Sequence, residues 1–364
     1  MCYTFEIAQG LNFSKERVCN MLASGRKTEI SLLNVVLCLL VVFIHVSSAP
    51  VSLLDKHSLQ YIIVMVPWRL SAFVVQGFIF LSGLKFFLKG TDSFSYGKFI
   101  SKRAKTILIP YLIWVMAYYL YFCSIDYFPF DISDYVKYAV TGSIVSPFYF
   151  IIAIFQFYLL MPVWIRLFKK FDTRLLLIMS FLLMVISKKY LPVILGDTFK
   201  YYDRIFTAYI FYWFLGCAAG LNYNGFKAVL SRLLPACTVF FLVFAVVDIH
   251  FSVKSLVYEE YIPFLENLHV LYCISAILFL YGALSTLSKH IQKLPSIVNG
   301  IDSASFYIYL SHCFVMNVID YRMQLRGIYG VKTTYVIRFI SVYIITVSLC
   351  ILYVKLKKKI ILRR

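Results

Sequence analysis

A chain of 364 residues with 61% hydrophobic and only 15% charged side chains cannot bury a core and still clothe its outside in charge, so a soluble globular fold is excluded. The apolar residues come in about ten long runs, approximately 30–49, 62–88, 106–125, 147–168, 174–193, 204–222, 229–249, 264–288, 303–320 and 333–354. Each is near the roughly 20 residues that a helix needs to cross a ~30 Å hydrocarbon layer. The net charge of +19 then reads as orientation in a bilayer, not as a footprint for nucleic acid.

Backbone groups in lipid must pair internally, and the runs are too long for barrel strands. The expected fold is all-α, a polytopic bundle of about ten transmembrane helices with both termini cytoplasmic. On that topology the inner segments hold about two-thirds of the 36 Lys and Arg residues, as the positive-inside rule asks. One outer loop, with Arg322, Arg326, Lys332 and Arg338, runs against the trend. Three segments follow: a cytoplasmic stretch 1–29, a transmembrane domain 30–355 and a basic cytoplasmic tail 356–364. Residues 1–29 have no apolar signal-peptide core, and Met21 is an alternative start. The nine cysteines lie mostly within runs and form no CxxC pair, so neither a disulfide framework nor a metal site is indicated.

Polar residues at membrane depth are the informative ones. In the first run Asn34, Cys38 and His45 fall at i, i+4 and i+11, one stripe on one helical face. His45 lies roughly 16 Å further outward than Asn34 at 1.5 Å per residue. An imidazole there can move a proton or bond a neighbouring helix, and both readings are open. In the second run Arg69, Gln76 and Gly83 share a face at heptad spacing. Arg69, at a depth similar to His45, needs either an anionic partner or a route to the outer headgroups. Ser82-Gly83 fits close helix packing as well as chemistry. Next, Lys98, Lys102, Arg103 and Lys105 form a cationic inner rim before a run that Pro110 should kink. The rim suits donor phosphates, but taken alone it fits anchoring to anionic lipid headgroups better. Gln156 is a further polar group in the fourth run, and Gly216 and Gly220 form a GxxxG packing pair. In the ninth run Ser305, Tyr309 and His312 share a face at i, i+4 and i+7.

Taken in order, these segments resemble the acyltransferase-3 family of bacterial membrane-bound acyltransferases, roughly from Thr28 to the last run. The landmarks are His45, the aromatic stretch Phe78 to Phe80 leading into Ser82-Gly83, the basic-to-proline segment Lys102 to Tyr111, and Tyr309-Leu310-Ser311-His312. The family commonly has an arginine upstream of the first-run histidine, where this chain has Asn34.

The resemblance implies a multi-pass protein of the bacterial plasma membrane. It would transfer an acetyl- or succinyl-type group from cytosolic acyl-CoA to a hydroxyl of an envelope glycan or lipid-linked sugar. Acyl-CoA is then a substrate rather than a tightly bound cofactor, and the other partner is the bilayer. His45 would be the general base or a transient acyl carrier, and Arg69 would stabilise the oxyanion or orient the acceptor. Asn34, Ser82, Gly83, Lys98, Lys102, Arg103 and Lys105 would line the donor path, with His312, Tyr309 and Gln156 secondary. Two rivals stand beside this: a polysaccharide exporter or transporter, and a non-catalytic scaffold of the same fold. None of the 17 acids falls clearly mid-run, with Glu266 and Asp302 at run ends, which disfavours a proton-coupled carrier.

Overall fold

Amides that cannot reach water must bond within their own segment. The computed structural model describes residues 27–196 and 199–363; it is 83% helix, with no strand among the described residues. Most of the stretch read as 1–29, including Met21, lies outside them.

The first half of the chain forms α1 (Thr28–Leu53), α2 (Leu59–Leu70), α3 (Val74–Phe87), α4 (Tyr96–Arg103), α5 (Ile109–Ser124), α6 (Ile132–Thr141) and α7 (Tyr149–Leu159). The second half forms α8 (Met161–Lys170), α9 (Thr173–Leu195), α10 (Ile210–Leu221), α11 (Tyr223–Val257), α12 (Leu265–Ser288), α13 (Ser296–Leu325) and α14 (Val331–Arg363).

Among the described residues seven segments are long and apolar enough to span a membrane: α1, α2 with α3, α4 with α5, α9, α11, α12 and α14. An eighth results if Ile132–Thr141 and Ser146–Leu159, bent by 58°, count as one. The remaining expected runs resolve differently, each for a local reason. The run 147–168 breaks at Leu160, just ahead of Pro162, because proline lacks the amide to continue a helix and crowds the preceding turn. The run 204–222 begins in 3₁₀ turns and leaves only Phe206–Leu221 as a short apolar helix. The run 303–320 lies within the long α13, whose Ser, His, Asn and Asp residues dilute its hydropathy.

Pro110 does not bend its span sharply. The strain is taken up just upstream, where Ala104–Leu108 is a π-turn and the Ile109 amide reaches back to the Ala104 carbonyl. Such π-turns often sit at functional sites. The junction of α2 and α3 is stabilised by side chains that take the loose carbonyls: the Ser71 hydroxyl donates to Pro67 O and the Tyr272 hydroxyl to Leu70 O.

The glycine pair expected to pack helices does so. A Cβ on Gly216 would sit 2.1 Å from the Phe80 carbonyl oxygen, and one on Gly220 2.6 Å from that of Leu84. Gly83 returns the contact, since its Cβ would lie 2.7 Å from Trp213 O. Only missing side chains let α3 and α10 approach this closely. At the centre stands α1, with 61% of its apolar window buried against 11% for α11. Helices α12, α13 and α14 pack around α1. The polar stripe read from the sequence is therefore carried by the most enclosed of the seven spans.

Candidate active site

Helices α1, α3, α7 and α13, with the π-turn after α4, enclose a cavity of about 310 Å³. Its polar wall includes Asn34, Ser82, Lys85, Arg103, Ser305 and Tyr309; Phe78, Ile154 and Tyr158 are among its apolar lining. Phe78, Ser82 and Lys85 fall at i, i+4 and i+7 on α3, so one face supplies all three. Lys85 is the one of these that sequence reasoning passed over, although that spacing could have found it.

Asn34 is the hub of the wall. Its Nδ2 donates to Asp302 Oδ1 at 2.8 Å and to Ser305 Oγ at 2.9 Å, and its Oδ1 accepts from Lys85 Nζ at 3.4 Å. One turn on, Cys38 Sγ lies 3.7 Å from Ser305 O. The Asn34 stripe of α1 thus faces α13 directly. Asp302 holds this hub from within the bundle and is 7% exposed, a deeper place than its position beside a run end suggested.

The cationic rim divides. Arg103 lines the cavity, its guanidinium 4.6 Å from the Tyr158 ring centroid and 5.2 Å from that of Phe99. A flat, weakly hydrated cation held on aromatic faces is suited to grip an oxyanion. Lys98, Lys102 and Lys105 are exposed and do not line it. Beside this rim, Lys89 has its pKa pushed down, first by partial desolvation and then by Arg103 and Lys102. Because Lys89 is itself exposed that effect is small, but it registers a positive field at this end of the bundle.

Tyr309 connects the cavity to the histidines. Its hydroxyl donates to the Pro147 carbonyl, and its ring lies 6.3 Å from that of His312. His312 is fully buried, with Nδ1 3.1 Å from the Ile308 carbonyl. A carbonyl can only accept, so Nδ1 carries the hydrogen and Nε2 presents a lone pair. That Nε2 is buried and has no hydrogen-bond partner among the described residues. The ring beside it is His45, half-buried, with centroids 5.2 Å apart. Two imidazoles from helices on opposite ends of the sequence thus meet just beyond the cavity's Tyr309 wall. Sequence spacing supplied both residues but not their pairing.

A family model for the acyltransferase-3 acyltransferase domain matches residues 28–355. The chain belongs to this family. It is a multi-pass membrane protein and an acyltransferase by that membership. Among known relatives, YfiQ of Bacillus subtilis (strain 168), provisionally named a membrane-bound acyltransferase, is 27% identical over 82% of this chain and 83% of its own length. A Staphylococcus aureus (strain NCTC 8325 / PS 47) protein is provisionally named a poly-beta-1,6-N-acetyl-D-glucosamine export protein. It is 26% identical over 60% of this chain and 63% of its own length. No solved structure matches the chain.

Other residues singled out in this acyltransferase lie elsewhere. Arg69 does not line the cavity. Its Nε and Nη2 donate to the two oxygens of Asp248 at 2.8 and 2.9 Å, and Asp248 Oδ1 lies 3.1 Å from His269 Nδ1. This knot ties α2 to α11 and α12. Gln156 spans α7 and the 3₁₀ turns, donating to Arg204 O at 2.7 Å and accepting from the Phe206 amide at 3.2 Å. Gly83 faces α10, as its packing requires.

The placing of the acids needs correction. Asp248 is fully buried, because α11 continues to Val257 and does not end near 249. Glu29 is buried as well, bonded to Lys227 and Tyr223. Asp320 takes Arg338 Nε at 2.8 Å, which gives one basic residue of the contrary outer loop a partner within the bundle. Each of these carboxylates is paired with a cation.

Proposed function

We propose that this acyltransferase moves an acetyl- or succinyl-type group from cytosolic acyl-CoA to a hydroxyl of an envelope glycan or lipid-linked sugar, in a bacterial plasma membrane. The observation that carries the reading is the cavity that begins at Lys85 and Arg103 and leads past Asn34 and Tyr309 toward the His45–His312 pair. Ten crossings with both termini cytosolic fit it, counting the bent pair, Phe206–Leu221 and Ser296–Leu325 with the seven long spans. The Lys- and Arg-rich end then faces the cytosol.

In this reading the donor's phosphates rest on Arg103, Lys85 and the surrounding rim, and its thioester arm follows the polar wall. The climb from Asn34 to His45 is roughly 16 Å along α1. The acceptor hydroxyl comes from the opposite face. His45 takes its proton while the oxygen bonds to the thioester carbonyl carbon. The carbon–sulfur bond then breaks, and the proton passes from the imidazole to the departing thiolate. The products are the glycan ester and free CoA thiol. His312 Nε2, an acceptor by its tautomer, is suited to take an N–H of His45 and raise its basicity. Lys85, bonded to Asn34, brings a cation to the place where relatives commonly carry an arginine. Arg69 is assigned to holding the helix knot and not to the oxyanion, since Asp248 holds its Nε and Nη2 and it does not line the cavity.

Export is the second reading, favoured by the name of the staphylococcal relatives. Incubating membranes with radiolabelled acetyl- and succinyl-CoA separates the two. We expect label in envelope glycan from wild-type membranes and none from a deletion strain. Unmodified glycan in both strains, with glycan retained in the cytosol of the deletion strain, would establish export.

A further inference from the structure

A second cavity, of about 350 Å³, opens at the opposite end of the bundle from Lys85 and Arg103. Such a volume lies within the roughly 300–1,000 Å³ of small-molecule pockets. Helices α5, α6 and α13 and the loop 125–131 build it. Phe122, Tyr127, Phe128 and Tyr138 supply aromatic faces, and Ser143 and Asn317 supply polar groups. Phe128 stacks on Tyr138 with centroids 5.8 Å apart, and Tyr127 lies 5.4 Å from Phe122.

The loop is held in shape, so these faces are set before any ligand arrives. The Tyr127 amide donates to Phe122 O at 3.0 Å and the Asp126 amide to Cys123 O at 3.1 Å. The Tyr119 hydroxyl bonds both the carbonyl and the amide of Asp131. At the other wall Gly142 closes α6 with a φ of +65°, and a Cβ there would meet Phe148 O at 2.8 Å. Only glycine allows that turn, which delivers Ser143 to the cavity.

We propose that this cavity binds one uncharged pyranose ring of the glycan acceptor, an inference that rests on the acyltransferase reading above. Sugar rings offer apolar C–H faces and a rim of hydroxyls. The site offers aromatic faces beside two phenols, a hydroxyl and a carboxamide. Segment 125–138 carries Asp126, Asp131 and Asp134 against one cation, Lys137, and this net negative charge disfavours uronate or phosphate-bearing sugars. An ordinary interfacial aromatic belt would spread its rings toward lipid. Phe130, 62% exposed and outside the cavity, does that; Phe122, Phe128 and Tyr138 are half-buried and line a space with an amide in its wall, and Tyr127, 73% exposed, stands at its open rim.

The position adds a specificity. Asn317 lies five residues beyond His312 on α13, about 7.5 Å along the axis and about 140° around it. The ring held here is therefore not the ring that receives the acyl group but a neighbour in the same chain. The acceptor is an oligosaccharide or polymer, not a free monosaccharide.

The test uses purified full-length protein and saturation-transfer NMR without donor, with a neutral N-acetylhexosamine tetrasaccharide and a hexuronate tetrasaccharide as probes. The neutral probe should bind and the hexuronate should not. Tyr127→Ala and Asn317→Ala should each weaken binding about three- to tenfold, the scale of one aromatic or polar contact. Tyr127→Trp should retain it, and Phe130→Ala should change nothing. In acyl transfer the same two weakened variants should raise acceptor KM and leave kcat near wild type. Equal binding by all variants, tighter binding of the hexuronate, or no binding of the neutral probe overturns the proposal. If the tetrasaccharide binds with this pattern but is never acylated, the site stands and the transfer reading falls. If it is acylated with a KM that Tyr127→Ala leaves unmoved, the reverse holds.

Discussion

His45→Gln is expected to lower acyl transfer by about 10²–10⁴-fold, the contribution of a positioned general base, while protein abundance and detergent stability stay near wild type. Glutamine keeps a hydrogen bond but cannot take a proton at neutral pH, so it separates chemistry from packing. A histidine that merely joined two helices would cost only about 0.6–2 kcal/mol of stability, with activity falling in proportion to folded protein. The same change at His312 should cost less. Its Nδ1–H bond to Ile308 fixes the ring, and its buried Nε2 reaches the reaction only through His45. Single-turnover rates on folded, quantified protein make the comparison. Full activity in His45→Gln would remove the imidazole from the chemistry, and a larger loss at His312 than at His45 would exchange their roles.

Asp248→Ala carries the largest expected stability effect. It strands Arg69, whose side chain is 15% exposed, beside an emptied carboxylate site and takes away the partner of His269. Breaking one side of a buried ion pair costs about 3–5 kcal/mol, because the other charge stays desolvated and unpaired. Thermal unfolding in detergent should register the loss. Replacing both partners, Arg69→Leu with Asp248→Leu, should recover most of it, since apolar groups of similar size often substitute for such a pair. The double variant also tests where Arg69 belongs. Activity that follows the amount of folded protein keeps Arg69 in the helix knot, whereas a well-folded but inactive double variant would return it to the oxyanion.

Much of this arrangement is readable from spacing alone. The stripe Asn34, Cys38, His45 and the triplet Ser305, Tyr309, His312 each mark a helical face, and the two faces meet. Gly216 and Gly220 announce a close crossing, and no side chain intervenes there. What spacing cannot carry is which faces pair across nearly the whole length of the chain. The Asn34–Asp302 bond joins residues 268 positions apart, and the Arg69–Asp248 pair joins residues 179 apart. Asp248 sits where hydropathy falls, so a window average ends the span beside it, near 249, although its buried partner lets α11 run on to Val257. The run 303–320 likewise understates α13, which extends over Ser296–Leu325, because polar residues toward its ends lower the average. Local backbone chemistry is the other gap. The break before Pro162 was visible as a proline but not as a division of the run, and the π-turn ahead of Pro110 has no mark in composition.

The central claim is that acyl groups enter from the end carrying Lys85 and Arg103 and leave on a glycan at the other. The most direct measurement is transfer across sealed proteoliposomes of one orientation, with neutral N-acetylhexosamine oligosaccharide inside and labelled acetyl- or succinyl-CoA outside, on the Lys85–Arg103 face. Label on the enclosed oligosaccharide, absent with His45→Gln, is the predicted result. Label only when donor and acceptor share one side, or unmodified oligosaccharide released from the vesicles, would contradict it.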